Sequence, residues 1–323
     1  MTPLTTALEL DAAAAERLIR PHIRETPLIR SQWLSDMADS HVHLKLENRQ
    51  ETGAFKLRGA AHKLLSLPQD QAERGVVTAS NGNHALAVAT MARRQGIKAE
   101  VFVSSSIDET RLQKIRACGA TVRVVRGDYL LVEQTARKEG ERTGRVYVSP
   151  YNDREVMAGQ GTIAVELMRQ VPSLDAVFVA VGGGGLIGGI GSFLKAVSPA
   201  TEIVGCWPSH SPALYECIRA GEIIEVPEQP TLSVSTAGGI EPGSITFDVA
   251  RRVIDRSVLV SEEAILDALR EFYRHEHQIV EGAAGVALAG FRQVASSYAG
   301  KTVAIVICGG NASPDLTKMI EAP

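Results

Sequence analysis

Short apolar runs recur along this chain, separated by stretches in which apolar and polar residues alternate at helical spacing. The runs fall at 42–46, 76–78, 100–103, 121–125, 146–148, 176–181, 202–206 and 302–308. Strands of this length between helical segments imply right-handed crossovers and a mainly parallel α/β architecture. No internal repeat or low-complexity linker interrupts the pattern. Residues 176–194 carry no charge and are long enough to span a bilayer, but seven of them are glycine. Glycine opposes a helix by about 1 kcal/mol per residue, so a strand, a glycine turn and a helix start are expected there. Residues 9–20 read as an ordinary helix, and 248–256 as a solvated helix face.

The segment 47–60, ENRQETGAFKLRGA, offers a candidate reactive amine at Lys56. A lysine attacks an aldehyde only as the free amine, and its ordinary pKa is near 10.4, so a reactive lysine needs surroundings that disfavour its charge. Gly53, Ala54 and Phe55 let the backbone approach a flat ring, and Leu57, Gly59, Ala60 and Ala61 begin a helix with little bulk. A second candidate follows the run at 76–78. There Ser80, Asn81, Gly82, Asn83 and His84 open a helix that Ser80 or Asn81 could cap, and its N–H groups suit a carboxylate. A third is Gly182, Gly183, Gly184 and Gly185, followed by Leu186, between a strand and a helix. Consecutive glycines turn several N–H groups into one concavity that suits a phosphate. Gly183, Gly185 and Gly188 also fit the GxGxxG dinucleotide fingerprint, but the next strand ends Gly205-Cys206-Trp207, without the acid that binds a ribose. The phosphate cup is therefore favoured over a dinucleotide site or a purely structural turn. Cys308 ends the last run, before Gly309, Gly310 and Asn311.

Four motifs, TGAFKLRGA, ASNGNHALA, VGGGGLIGG and ICGGN, stand in an order that resembles the fold type II, tryptophan synthase β-like, pyridoxal phosphate enzymes. Within them the chain is most similar to the threonine and serine dehydratases and serine racemase. A fifth segment, YNDREVMAGQGT at 151–162, is similar to the family's return to the large domain. The resemblance implies two open, mainly parallel twisted sheets flanked by helices. A small domain would cover 48–150, and a large cofactor-binding domain 1–47 and 151–323. It implies that Lys56 holds pyridoxal 5'-phosphate, that Phe55 and the glycine run with Leu186 pack around it, and that Asn83 bonds its phenolic oxygen. Cys308, usually serine in the family, would lie against the pyridine nitrogen. Ser80, Asn81, Gly82 and His84 would border the substrate carboxylate, and Gly238 and Gly239 in the loop STAGGIEPGSITF, 235–247, the rest of the substrate.

Departures from the family accompany these matches. Trp207 stands where related racemases have a glutamate that helps hold a divalent cation, so no metal site is expected. An Ala-Asp-Gly of those relatives is absent near Ser233-Val234-Ser235, and Asn81 stands where racemases have serine. The implied activity is that of an ammonia-lyase acting on a β-hydroxy-α-amino acid, with threonine or serine first and phenylserine next. A racemase, a 3-hydroxyaspartate or hydroxyectoine-pathway dehydratase, and a β-replacement synthase are the alternatives.

Composition adds limits. The 323 residues are 45% hydrophobic with a net charge of −3, ordinary for a globular protein and without the basic excess that a nucleic-acid partner needs. Cys118, Cys206, Cys217 and Cys308 lie far apart with no CxxC, so neither a zinc site nor a disulfide framework is indicated. The pairs His41/His43 and His275/His277 lack a third ligand, and no Gly-x-Ser-x-Gly elbow appears. Neither a leader before residue 9 nor a regulatory domain beyond Asn311 is expected, since no basic-then-apolar pattern precedes residue 9. The expectation is a cytoplasmic homodimer acting on a small amino acid, with no nucleic-acid or membrane partner.

Overall fold

A computed structural model describes residues 4–127 and 129–322. Its strands are β1 (Leu28–Arg30), β2 (His41–Lys45), β3 (Val76–Ala79), β4 (Ala99–Ser104), β5 (Thr121–Val125), β6 (Val146–Tyr147), β7 (Ala176–Ala180), β8 (Glu202–Pro208), β9 (Arg256–Val260) and β10 (Thr302–Val306). They form a six-stranded sheet, β1-β2-β10-β7-β8-β9, and a four-stranded sheet, β5-β4-β3-β6. Every pairing is parallel except β1 with β2. Each of the eight predicted runs falls on a strand, and four of them, 42–46, 146–148, 176–181 and 302–308, overrun its end by one or two residues.

Strands β3, β4 and β7 are buried along their whole length, as strands covered by helices on both faces must be. That burial explains their unbroken apolar runs. Strands β1 and β9 were not anticipated. β1 has three residues, too few to show a period, and β9 begins at Arg256, which closes the stretch taken for a helix face. The helix there is Ile245–Val253. It buries Phe247, Val249, Ala250 and Val253 and turns Asp248, Arg251 and Arg252 outward, so the solvated face is correct only up to Arg252.

The apolar stretch at 176–194 is β7, a glycine turn and the helix Gly185–Val197. Among the described residues no helix is long and apolar enough to cross a membrane. The glycines inside that helix serve packing. A Cβ on Gly189 would lie 2.2 Å from the Met157 carbonyl oxygen, so this helix and Arg154–Gln170 touch backbone to backbone.

A buried ionic network ties the end of β2 to the helices Lys56–Leu65 and Arg154–Gln170. Arg58, fully buried, donates Nε and Nη2 to Glu47 at 2.8 and 2.9 Å, and Nη1 and Nη2 to Glu166 at 2.8 and 2.9 Å. Lys45, also fully buried, bonds Glu166 from the other side. Each charge thus faces opposite charges, the condition under which burial is tolerated. Arg58 lies two residues after Lys56, so this network fixes the first turn of the helix Lys56–Leu65.

Candidate active site

In open α/β sheets, ligand sites form beyond the carboxyl ends of parallel strands. The segments leaving β2, β3, β6, β7 and β10 meet there, and each predicted motif sits on one of them. Lys56 begins its helix, and its Nζ donates to the Pro150 carbonyl at 2.6 Å. The preceding chain is pinned by the Phe55 N–H, which donates to the Cys308 carbonyl at 3.0 Å, and by an antiparallel bridge between Ala54 and Gly309. The Phe55 ring centroid is 5.1 Å from Nζ. Lys56 keeps some exposure toward the cleft, but protein surrounds its amine. Burial pulls the amine down to about 8, against the opposing pull of Glu281 and Cys308. About a tenth to a fifth of the amine is then free near neutral pH, roughly two hundredfold more than for an ordinary lysine.

Asn83 heads the helix Asn83–Gln95, and its amide is oriented from both ends. Oδ1 accepts from Asn311 Nδ2 at 2.7 Å, and Nδ2 donates to Glu281 at 2.8 Å. One Nδ2 hydrogen remains for a ligand. Glu281 also accepts from Ser235 Oγ at 3.1 Å, and burial raises its carboxyl above the usual range. Cys308 is 2% exposed. Burial and then Glu281 push its thiol well above the ordinary value, so it stays neutral.

Two helix starts supply N–H groups. Neither Ser80 nor Asn81 caps the first, contrary to expectation. The N-cap is Gly82, Ser80 Oγ accepts from the Gly82 N–H at 3.1 Å, and Asn81 is tied to Ser104 through both ends of its amide, at 2.6 and 2.8 Å. The helix is therefore left with free leading N–H groups, the arrangement that binds an anion. A Cβ on Gly82 would meet nothing within 4 Å, so the space before it is open. His84, in the first turn, is buried and bonds the Val148 carbonyl at 3.0 Å.

The second start is the glycine run. Gly184 is the N-cap, with φ +86°, a conformation only glycine adopts freely. A Cβ on Gly183 would lie 2.4 Å from the Tyr151 ring, one on Gly185 2.9 Å from the Tyr151 backbone, and one on Gly182 2.8 Å from Thr236. The run is thus pressed against Tyr151 and Thr236, while Leu186 is buried behind it. The Tyr151 hydroxyl accepts from the Glu241 N–H at 3.2 Å, which ties the cup to the loop containing Gly238 and Gly239. A Cβ on either of those glycines would meet nothing within 4 Å, so they border open space.

Sequence reasoning missed Glu281, Tyr151, Asn311, Ser235 and Pro150. Glu281 reads as an ordinary acid before a helix, the helix Gly282–Val294, and nothing local marks it. Trp207, a residue that replaces a family acid, is fully buried in β8 beside Tyr215, with ring centroids 5.6 Å apart. It is a core residue.

A part-neutral lysine, an uncapped helix for a carboxylate, a glycine cup for a phosphate and a neutral thiol together fit pyridoxal phosphate. Lys56 would hold its aldehyde carbon, residues 182–186 its phosphate, Asn83 its phenolic oxygen and Cys308 its ring nitrogen. These features define the class, an enzyme that uses an aldehyde cofactor bound to lysine. The comparisons then place the chain. It belongs to the pyridoxal-phosphate dependent enzyme family, whose model matches residues 19–309. It is 36% identical to the L-threonine ammonia-lyase of Thermotoga maritima over 93% of this chain and 75% of that one. It is 33% identical to the beta-hydroxyaspartate dehydratase of Paracoccus denitrificans, over 94% and 96%. Maize serine racemase has the same fold, with a TM-score of 0.90 and 29% identity over 96% and 95% of the two chains. The protein is a pyridoxal phosphate-dependent enzyme of the threonine/serine dehydratase–serine racemase group, by class a carbon–nitrogen lyase.

Proposed function

We propose that the protein converts a β-hydroxy-α-amino acid, first L-threonine or L-serine, to the 2-oxo acid and ammonia. The observation that carries this is the Lys56 amine, held at about 8 between the glycine cup and the uncapped helix at Asn83. Bound pyridoxal phosphate would supply the electron sink that stabilises negative charge at the substrate α-carbon. The chain's own residues do the rest. The free N–H groups after Gly82 take the substrate carboxylate, and the open space before Gly82 admits it. Lys56 Nζ, as free amine, takes the α-proton. Cys308 offers the ring nitrogen a neutral thiol, which does not hold it protonated as an acid would. A weaker sink favours prompt loss of the β-hydroxyl.

Similarity to the beta-hydroxyaspartate dehydratase supports a second reading, in which the β-substituent is a carboxylate. Neutral residues of this chain, Trp207 and the loop 237–239, stand where the resemblance puts acids in its relatives, which supports uncharged substituents, phenylserine included. A panel of L-serine, L-threonine, phenylserine and 3-hydroxyaspartate, with oxo acid detected directly, separates them. The proposal expects higher kcat/KM for threonine or phenylserine, and a better value for 3-hydroxyaspartate overturns it. The same reading includes a cytoplasmic homodimer divided near residues 48 and 150. Light scattering should give twice the 34.6 kDa chain mass.

A further inference from the structure

The loop 235–247 has an anchor that the site as described does not use. Gly238 and Gly239 border open space. Among the described residues the backbone of 237–240 makes one hydrogen bond, from the Gly238 N–H to Ser211 Oγ at 3.4 Å. Gly238, at φ +126°, and Gly243, at φ +73°, flank the buried Ile240. The polar ties converge on Glu241. Its N–H donates to the Tyr151 hydroxyl at 3.2 Å, and its carboxylate accepts from Arg137 Nη2.

Arg137 reaches the loop from the other sheet. Its helix, Tyr129–Thr143, packs on β3, β4 and β6 of the four-stranded sheet. The loop instead runs between β8, in the six-stranded sheet, and the helix Ile245–Val253. The guanidinium is also braced on its own side. It stacks over Tyr147, with its carbon 4.2 Å from the ring centroid, and donates Nε and Nη2 to Glu133 Oε1 at 3.2 and 2.9 Å. The Tyr147 hydroxyl donates to the same Glu133 oxygen at 3.3 Å. A planar guanidinium fixed by a ring and one carboxylate loses little further freedom when it takes a second carboxylate. Glu241 thus joins the loop, the Tyr151 side of the glycine cup and the four-stranded sheet.

We propose that Arg137 is a positioning residue for the substrate loop: it holds Glu241, and with it residues 237–240, closed against the four-stranded side of the cleft. Without that hold, three glycines and one long hydrogen bond leave the segment free to swing at Gly238 and Gly243. The inference rests on the reading of 235–247 as the loop that borders the substrate, and adds what sets its position.

The test starts with cofactor-free protein, so it depends neither on the substrate nor on lyase activity. Hydrogen exchange of a peptide covering 237–244, read by mass spectrometry, reports how often the loop opens. Arg137→Met keeps an apolar stem over Tyr147 and removes the charge, and Glu241→Met does the same on the loop. Each should speed exchange of that peptide about fivefold, the scale of one partly exposed ion pair, and leave the β7 peptide unchanged. The double variant should exchange no faster than either single variant, because both remove the same pair. Added salt should speed exchange in the wild-type protein and not in the Met variants, an effect that a purely structural role would not show. Unchanged exchange in either folded single variant overturns the proposal, as do losses that multiply in the double variant. Should Arg137→Met fail to fold, Arg137→Lys, which keeps the charge without the planar fork, should give an intermediate rate, and a wild-type rate overturns the proposal. In loaded enzyme the Met variants should raise KM about fivefold with kcat within about twofold, and a fall in kcat at constant KM contradicts a positioning role. A wild-type protein that releases no oxo acid but shows these exchange shifts would sink the proposed function and leave this inference standing.

Discussion

Gly183→Ala is the sharpest probe of the glycine cup. A Cβ at that position would sit 2.4 Å from Cγ of the Tyr151 ring and 2.6 Å from both Cδ atoms. Non-bonded carbons prefer about 3.5–4.0 Å, so the ring must retreat by about 1 Å. It cannot do so alone. Its hydroxyl accepts from the Glu241 N–H, and Ser149 Oγ holds the Tyr151 N–H at 3.5 Å. The strain therefore passes into the cup or the substrate loop. Overpacking of this kind costs about 1–3 kcal/mol, which, if it falls on the cup, corresponds to a loss of cofactor affinity of about five- to 150-fold. Titration of cofactor-free protein with pyridoxal phosphate, followed by the visible absorbance of the cofactor–lysine linkage, measures it. Tyr151→Ala empties the space the new methyl needs, so the double variant should bind more tightly than the two single losses added together. Unchanged affinity in a folded Gly183→Ala protein would mean that the glycines serve only the turn.

Three further outcomes follow from the same geometry. Lys56→Ala should fold but keep no more than about one part in a thousand of the turnover, and wild-type cofactor uptake should rise with pH through a midpoint near about 8, because only the neutral amine reacts; a midpoint in the ordinary lysine range would refute the buried-amine account. Glu166→Ala should lower the unfolding free energy by about 3–5 kcal/mol in urea denaturation, since Arg58 and Lys45 would lose their shared partner. Burial opposes the Glu166 charge, but Arg58 and then Lys45 overcome it and hold the group at about 2, so its contribution is present above the ordinary carboxylate range and fades as pH falls toward 2. Asn81 carries an amide that does not ionise near neutrality, already bonded to Ser104, so wild-type enzyme should leave unreacted L-serine uninverted and Asn81→Ser should raise inversion relative to elimination; chiral chromatography after partial turnover checks both.

The sheets and the three candidate loops were legible as elements because their signals are local. Continuous apolar runs at β3, β4 and β7 reflect burial on both faces, and the glycine run needs conformations only glycine supplies. What escaped depends on distant partners. Glu281 is recognisable only once Asn83, Ser235 and Lys56 surround it. Tyr151 matters because residues 183 and 185 are folded against it from across the chain. The capping role read into Ser80 and Asn81 failed because Ser104, on β4, competes for the Asn81 amide. Likewise Glu47, Arg58 and Glu166 form one network from three separate segments, and charge spacing along the chain does not reveal it.

The central claim is that Lys56 drives elimination from a β-hydroxy amino acid. Its most direct test is simultaneous measurement of oxo acid, ammonia and substrate stereochemistry when enzyme loaded with pyridoxal phosphate meets L-threonine or L-serine without a second substrate. The account predicts steady, equal release of 2-oxo acid and ammonia, no inverted amino acid, and no release from Lys56→Ala. Abundant D-serine with little oxo acid, or turnover that persists without Lys56, would contradict it.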